Sequence, residues 1–338
     1  MKNKFTISDI AKAAGVSKTA VSFVLNNKEG ISEQTRQKVL DVIKQTNYKP
    51  TMNSKRLFFH KSFTIAVVFD QSGYRLDNLF YLGIMSALLK RCTDYNYSLV
   101  YSEYSYVDGA VKLPENMLNK DVDGVVFLKD IPVELINTLK NLEIPYVIAD
   151  AHAEYEALYT VNVDYQLAAY TAVNYLISRG HRRIGFVGNM QLPAFYSQSI
   201  SGYQKALEEN GLPVEPAWCF EKVHDRKTTE QYMAQLLESR ERPTAIFCME
   251  DILAIELIRY LQKNKLCVPE DISVIAIDDI ILSNEIFPGL TTVAIDKDQL
   301  GSSAIDILMN LIDQKPTSSV SITATDIVVR ESVKSITE

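Results

Sequence analysis

Acidic residues recur at the ends of short runs rich in β-branched side chains. Asp70 follows Thr64–Phe69, Lys129-Asp130 follows Gly124–Leu128, Asp150 follows Tyr146–Ala149, Glu250-Asp251 follows Ala245–Cys248, and Asp278-Asp279 follows Ser273–Ile277. A carboxylate only accepts hydrogen bonds. Several of them converging on one cleft suit a ligand rich in hydroxyl donors, a sugar or polyol. Each can equally cap the helix or turn that follows, and Asp251 is read as such a cap. No catalytic set accompanies them. There is no GxGxxG after a strand and no GxxxxGK(S/T), and Gly185-Phe186-Val187-Gly188 is only a fragment. His181 and His224 lack a Ser or Cys partner in any recognisable arrangement, so an enzyme is not expected. A second group of chemistry-bearing residues lies near the N-terminus. Lys18, Thr19, Ser22 and Phe23 are spaced as the outward side of a helix over 18–25, the right size for a DNA major groove.

The elements that must position these residues follow from periodicity and punctuation. Thr6 and Asp9 have the spacing of a capping box, and Ile7, Ile10, Ala11 and Ala14 give a short apolar face that Gly15 ends. Ser17 caps a second helix whose inward stripe is Ala20, Val21, Val24 and Leu25. Ser32 caps a third, Glu33–Gln45, with Val39, Leu40, Val42 and Ile43 turned to the same core. Three short helices in about fifty residues make a helix-turn-helix module. Beyond them, further β-branched runs at Ser98–Ser102 and Arg183–Val187 alternate with helix-length segments Leu79–Thr93, Tyr165–Arg179, Ile200–Asn210 and Ile252–Lys263. That alternation predicts βαβ units and parallel sheets, in a body too long for one open sheet.

Composition agrees with this division. The chain has 338 residues, 47% hydrophobic and 23% charged, the profile of a globular protein of two or three domains. Residues 1–62 hold 12 Lys/Arg against 4 Asp/Glu, whereas the rest of the chain has a net charge of −15. A basic head on an acidic body points to a nucleic-acid-binding module on a larger domain that does not bind nucleic acid. No apolar run approaches membrane length and Met1–Thr6 shows no signal-peptide pattern, so no membrane association and a cytoplasmic location are expected. Cys92, Cys219, Cys248 and Cys267 lie far apart without metal-ligand spacing, so reduced thiols, no metal and no cofactor are expected.

The segment ISDIAKAAGVSKTAVSFVLNNKEGISEQTRQKVLDVIKQTNYKP resembles the DNA-binding head of the LacI/GalR transcriptional regulators almost position by position. NSKRL resembles that family's hinge helix. DGVVFL, RGHRRIGFVG, TAIFCMEDILAI, VPEDISVIAIDD and LTTVAIDKDQLG carry the resemblance to the end of the chain. It implies an α/β protein: an N-terminal three-helix helix-turn-helix head plus hinge helix, followed by a type I periplasmic-binding-protein-like core of two doubly wound α/β subdomains. The implied boundaries are 1–49 for the head, 50–61 for the hinge and 62–338 for the core. Within the core they are about 62–161 and 292–325 for one subdomain, and 162–291 and 326–338 for the other, with Leu290–Ile295 and Ile327–Val329 in the later crossings. The implied partners are a double-stranded DNA operator, a small-molecule effector of carbohydrate class and a second copy of the chain. No leucine heptad follows Val333, so a dimer rather than a tetramer is expected.

Carried over residue by residue, the resemblance places Thr6, Ser17, Lys18, Thr19, Ser22, Phe23, Asn26, Lys55 and Leu57 at DNA. Lys18 and Thr19 would meet bases, Ser17, Ser22 and Asn26 phosphates, and Leu57 the central base step from the minor groove. Tyr74, Asp77, Asp150, Ser199, Trp218, Glu250 and Asp278 are the implied effector contacts. The chain departs from the family pattern in places. Phe23 replaces a frequent Arg, which predicts an A·T pair there through a thymine methyl contact; packing of the ring is the alternative. Ala20 replaces a frequent Thr, and Ser54 stands at a hinge position where alanine is usual. Ser199 stands where an effector-gripping Arg is frequent, and Glu250 where Asn is. A lost cation and an added carboxylate argue against a phosphorylated or carboxylated ligand, and for a neutral or amino-bearing one. A nucleoside ligand and a phosphoprotein co-regulator remain alternatives within the family.

Overall fold

The computed structural model describes residues 5–25, 30–46, 48, 61–71, 78–107, 110–223, 226–238 and 241–336. It divides into two units, Met1–Phe63 and Thr64–Glu338.

The first unit holds α1 (Ile7–Ala14), α2 (Lys18–Leu25) and α3 (Glu33–Thr46). The capping box of α1 is formed in both directions: Asp9 N–H donates to Thr6 Oγ1 at 3.3 Å, and Thr6 N–H to Asp9 Oδ2 at 2.8 Å. Gly15 ends the helix at φ 66°, a conformation costly for any residue with a Cβ. Ser17 Oγ accepts from Ala20 N–H at 3.1 Å and Ser32 Oγ from Thr35 N–H at 3.2 Å, as expected of N-caps. Ile10, Ala11, Val21, Val24, Val39 and Tyr48 are the buried core, with Val42 and Ile43 packed against it. Leu40 corrects the sequence reading: it is 43% exposed, because it lies one residue, or about 100° of helix, from Val39.

The second unit runs β1 (Thr64–Asp70), α4 (Leu79–Asp94), β2 (Ser98–Val107), β3 (Ala110–Lys112), α5 (Glu115–Leu118), β4 (Gly124–Leu128), α6 (Val133–Leu139), β5 (Tyr146–Ala149), β6 (Thr160–Val163) and α7 (Tyr165–Ser178). It continues with β7 (Ile184–Val187), α8 (Pro193–Glu209), a 3-10 turn Pro216–Trp218, β8 (Cys219–Phe220), α9 (Arg226–Glu238), β9 (Ala245–Cys248), α10 (Asp251–Lys263) and β10 (Ser273–Asp278). The last elements are α11 (Leu282–Glu285), β11 (Thr291–Ala294), α12 (Lys297–Ile312), β12 (Val320–Ile322) and β13 (Ile327–Val328). One sheet has the order β12-β6-β5-β4-β1-β2-β3 and the other β13-β11-β10-β9-β7-β8. Nearly all pairs are parallel, and the central strands are buried on both faces, as helices on both sides require. The chain therefore passes between sheets three times. The second passage falls after Ala294, since Thr291–Ala294 pairs with β10, so 292–294 belong to the second sheet rather than the first.

Two glycines let helices approach closely. A Cβ on Gly202 in α8 would stand 2.2 Å from the Gln166 carbonyl of α7, and one on Gly301 in α12 would stand 2.6 Å from Ala87 Cβ of α4. Each sheet thus has one helix pair held at backbone contact, and this rigid packing carries the strand ends described next.

Candidate functional site

The strands of the second unit end at a common cleft. Asn78, Phe80 and Tyr81 come from the start of α4, Lys129 follows β4, and Asp150 and His152 follow β5. Facing them are Tyr165 at the start of α7, Leu192 and Phe195 at the start of α8, Glu250 and Ile252 after β9, and Asp278 and Ile280 after β10. Ligands gather outside the carboxyl ends of such sheets. The backbone there is strained: Lys129, Asp150, Asp278 and Asp279 have φ of 70°, 59°, 130° and 55°, conformations that non-glycine residues keep where function and surroundings demand it.

Asp150 is 1% exposed, and its oxygens are occupied. Tyr81 Oη donates to Oδ2 at 2.5 Å, Tyr165 Oη donates to Oδ1 at 2.6 Å, and His152 Nε2 lies 3.5 Å away. His152 bridges Asp150 to Asp130, which also accepts the His152 and Ala153 N–H groups at 2.9 Å. Burial works against the imidazolium, but the two carboxylates outweigh it and raise the His152 pKa. Three contacts tie the two sheets' sides together across the cleft. Phe195 stacks on His152 with centroids 5.0 Å apart, Gln198 Nε2 donates to the His152 carbonyl at 2.7 Å, and Tyr165 reaches Asp150.

Glu250 and Asp278 differ from Asp150. Neither side chain accepts a hydrogen bond from a described residue, although Glu250 is the N-cap residue of α10 and Asp278 is 7% exposed. Burial pushes the Glu250 carboxyl up to about 7; Asp251 adds to this and Lys129 opposes it. Burial, with the charges of Asp251 and Glu250, holds Asp278 well above the carboxylate range. Burial also lowers the Lys129 pKa against the pull of Asp150, Asp130 and Glu250.

Three other strand-end acids, Asp130, Asp279 and Asp251, are structural. Asp130 holds the His152 loop, and Asp279 pairs with Arg330 at 2.6 Å. Asp251 is structural but does not cap: it is the first residue of α10 and accepts from Ile280 N–H, Ser283 Oγ and Thr292 Oγ1 at 3.0, 2.5 and 2.6 Å, tying β9 to the loop after β10 and to β11.

Two expected effector contacts lie elsewhere. Trp218 is buried beside β8 with its Nε1 donating to the Glu241 carbonyl at 3.1 Å, because the 3-10 turn places it at the outer edge of the second sheet, away from the strand ends. Ser199 is fully buried in α8 and its hydroxyl has no hydrogen-bond partner. The helix starts at Pro193, not Ile200, so Phe195 and Gln198 take the cleft end and Ser199 lies a turn deeper, on the Gly202 side that packs on α7. Tyr74 and Asp77 lie outside the described residues. The aromatic set Phe80, Tyr81, Tyr165 and Phe195, with His152, escaped the sequence reading, which places Lys129 at a strand end. Its signal was position: Tyr81 and Tyr165 each open the helix that follows a strand.

In the head, Lys18 and Thr19 are exposed at the start of α2. Thr6 and Ser17 are exposed and serve as caps. Ser22 is 2% exposed, which corrects its reading as outward; it shares a face with Lys18, but only the longer side chain reaches solvent. Phe23 is half-buried with its ring beside Gly30, the packing arrangement that competes with base contact. Asn26, Lys55 and Leu57 lie outside the described residues. Among the described residues, no cluster of His, Cys, Asp and Glu suits a metal ion, and no helix is long and apolar enough to cross a membrane.

Residues 6–51 match the lacI family of bacterial regulatory proteins, and residues 173–333 a periplasmic binding protein-like domain. The chain is 32% identical over 317 residues to Catabolite control protein A of Priestia megaterium, covering 93% of this chain and 94% of that one. Its fold is shared by the lac repressor dimer bound to operator and the anti-inducer ONPF (TM-score 0.74, 22% identity, 98% and 100% covered). It is shared too by a LacI family transcriptional regulator from Enterococcus faecium with bound ribose (TM-score 0.71, 24% identity, 81% and 100% covered). The two-domain architecture and these likenesses define a DNA-binding transcriptional regulator, not an enzyme. The chain belongs to the LacI family.

Proposed function

We propose that this regulator represses transcription as a homodimer on a pseudo-palindromic operator and is controlled by a carbohydrate effector in the cleft. Exposed Lys18 and Thr19 on a helix of major-groove size would read bases, with half-buried Phe23 beside them at a thymine methyl. Thr6 and Ser17, at helix N-termini, are placed for phosphate, as is Asn26 by resemblance. Buried Ser22 is left out. Lys55 and Leu57 would enter the minor groove at the operator centre. Ile281 and Phe287, 72% and 85% exposed, are apolar surface that pairing of two chains would cover.

The observation that carries the effector reading is the cleft itself: strained strand ends, aromatic walls and carboxyls still open to donors. The contacts across it through Phe195, Gln198 and Tyr165 give an effector something to rearrange. Effector and operator then bind with reciprocal coupling. The ribose named with the Enterococcus faecium regulator favours a sugar over a nucleoside.

Selection from random duplexes with the full chain, and with residues 1–60 removed, tests the reading. The expected result is an inverted repeat with a central pyrimidine–purine step, lost on truncation, and a roughly 10³–10⁵-fold fall in affinity between 50 and 200 mM salt for about six to ten phosphate contacts. An invariant G·C at the Phe23 position would refute the thymine contact. A stable tetramer in sedimentation would refute the dimer.

A further inference from the structure

Among the described residues, the cations near the open carboxyls hydrogen-bond to other groups or are shared between several carboxylates. Lys297 Nζ donates to the carbonyl oxygens of Asp278 and Ile295, at 2.5 and 3.1 Å, and not to the Asp278 carboxylate. Arg330 is held by Asp279 and the Leu290 carbonyl at 2.6 and 2.7 Å. His152 lies between Asp130 and Asp150. Lys129, the one ammonium lining the cleft among the described residues, answers to Asp150, Asp130, Glu250 and Asp70 together. Two carboxyls line one cavity, Glu250 raises the cost of charge on Asp278, and neither side chain accepts a hydrogen bond from a described residue.

A hydroxyl donates one proton and would serve one of them. An ammonium donates three and carries the charge that two carboxylates lack, while a phosphate or carboxylate would add to the repulsion. The neighbouring wall is aromatic, with Tyr165 and Phe195 at 4.4 Å between centroids, and ring faces favour a cation. We propose that the effector is an amino-substituted monosaccharide whose ammonium is held by Glu250 and Asp278. Its hydroxyls meet Asn78 and Lys129, and its apolar face lies on Phe195. This rests on the reading of the cleft as a carbohydrate site.

Calorimetry with the full chain tests it, using glucosamine, galactosamine and mannosamine against glucose, galactose and mannose. The expected result is at least one amine binding tenfold or more tightly than its parent sugar. Glu250→Gln should cut the ratio of amine to parent affinity by tenfold or more, whatever it does to the parent sugar itself; the near-isosteric Asp278→Asn should cut the same ratio. Parent sugars binding as tightly as their amines, or a preference that survives both substitutions, would overturn the amine while leaving the carbohydrate reading intact. Binding of none of the six, with a nucleoside binding instead, would overturn both.

Discussion

The two walls of the cleft use the same residue type in opposite ways. On the first-sheet side, Asp150 is engaged by two tyrosine hydroxyls and a histidine, so the protein itself supplies its partners. On the second-sheet side, Glu250 and Asp278 face the same cavity, accept no side-chain hydrogen bond from a described residue and sit at raised pKa. Donors supplied by the protein make a carboxylate a structural pin. Donors withheld make it an unmet demand that a ligand can satisfy, and the resting fold carries that cost.

Removing the engaged acid should have the largest effect. Asp150→Ala strands Tyr81, Tyr165 and His152 without their acceptor and is expected to cost roughly 3–5 kcal/mol of stability in denaturant unfolding. A loss under 1 kcal/mol would mean the pin is not structural. The open wall should respond in the opposite direction. The Glu250 pKa is raised in the folded chain, so stability is fully present below the unfolded value near 4.5 and falls as pH rises through about 7. Glu250→Gln removes that loss. It should raise stability by about 2–3 kcal/mol at pH 8 and by only about 0.2 kcal/mol at pH 4, read from Tm against pH. Equal effects at both pH values would show that Glu250 carries no charge penalty. The smallest effect is expected outside both walls. Trp218→Phe loses the bond to the Glu241 carbonyl, costs about 0.5–1.5 kcal/mol and leaves effector affinity unchanged. A drop in affinity would bring Trp218 back to the cleft.

Much of the fold was legible because its signals are local. Gly124–Leu128, Tyr146–Ala149 and Ala245–Cys248 are strands to the residue, and Thr6, Gly15, Ser17 and Ser32 punctuate the head as capping chemistry predicts. The elements missed were short strands and short or weakly patterned helices: β3, β6, β8, β12, α5, α6, α9, α11 and α12. Their stability comes from pairing with strands or helices distant in sequence, such as α12 against α4 through Gly301. The start of α8 was read seven residues late because Tyr196-Ser197-Gln198-Ser199 is polar in composition, while Phe195 and Ser199 are buried by α7 and the cleft.

By itself, then, the sequence determined the basic three-helix head, the alternation that builds two parallel sheets, and which acids stand at strand ends. Each depends on residues within a few positions of one another. Only the tertiary structure decided which of those acids still lack a partner. Arg330 reaches Asp279, Thr292 reaches Asp251, and Tyr81 reaches Asp150 across 51, 41 and 69 positions of chain. Whether a carboxyl is a pin or a binding group is settled by which distant donors the packing brings within hydrogen-bond distance.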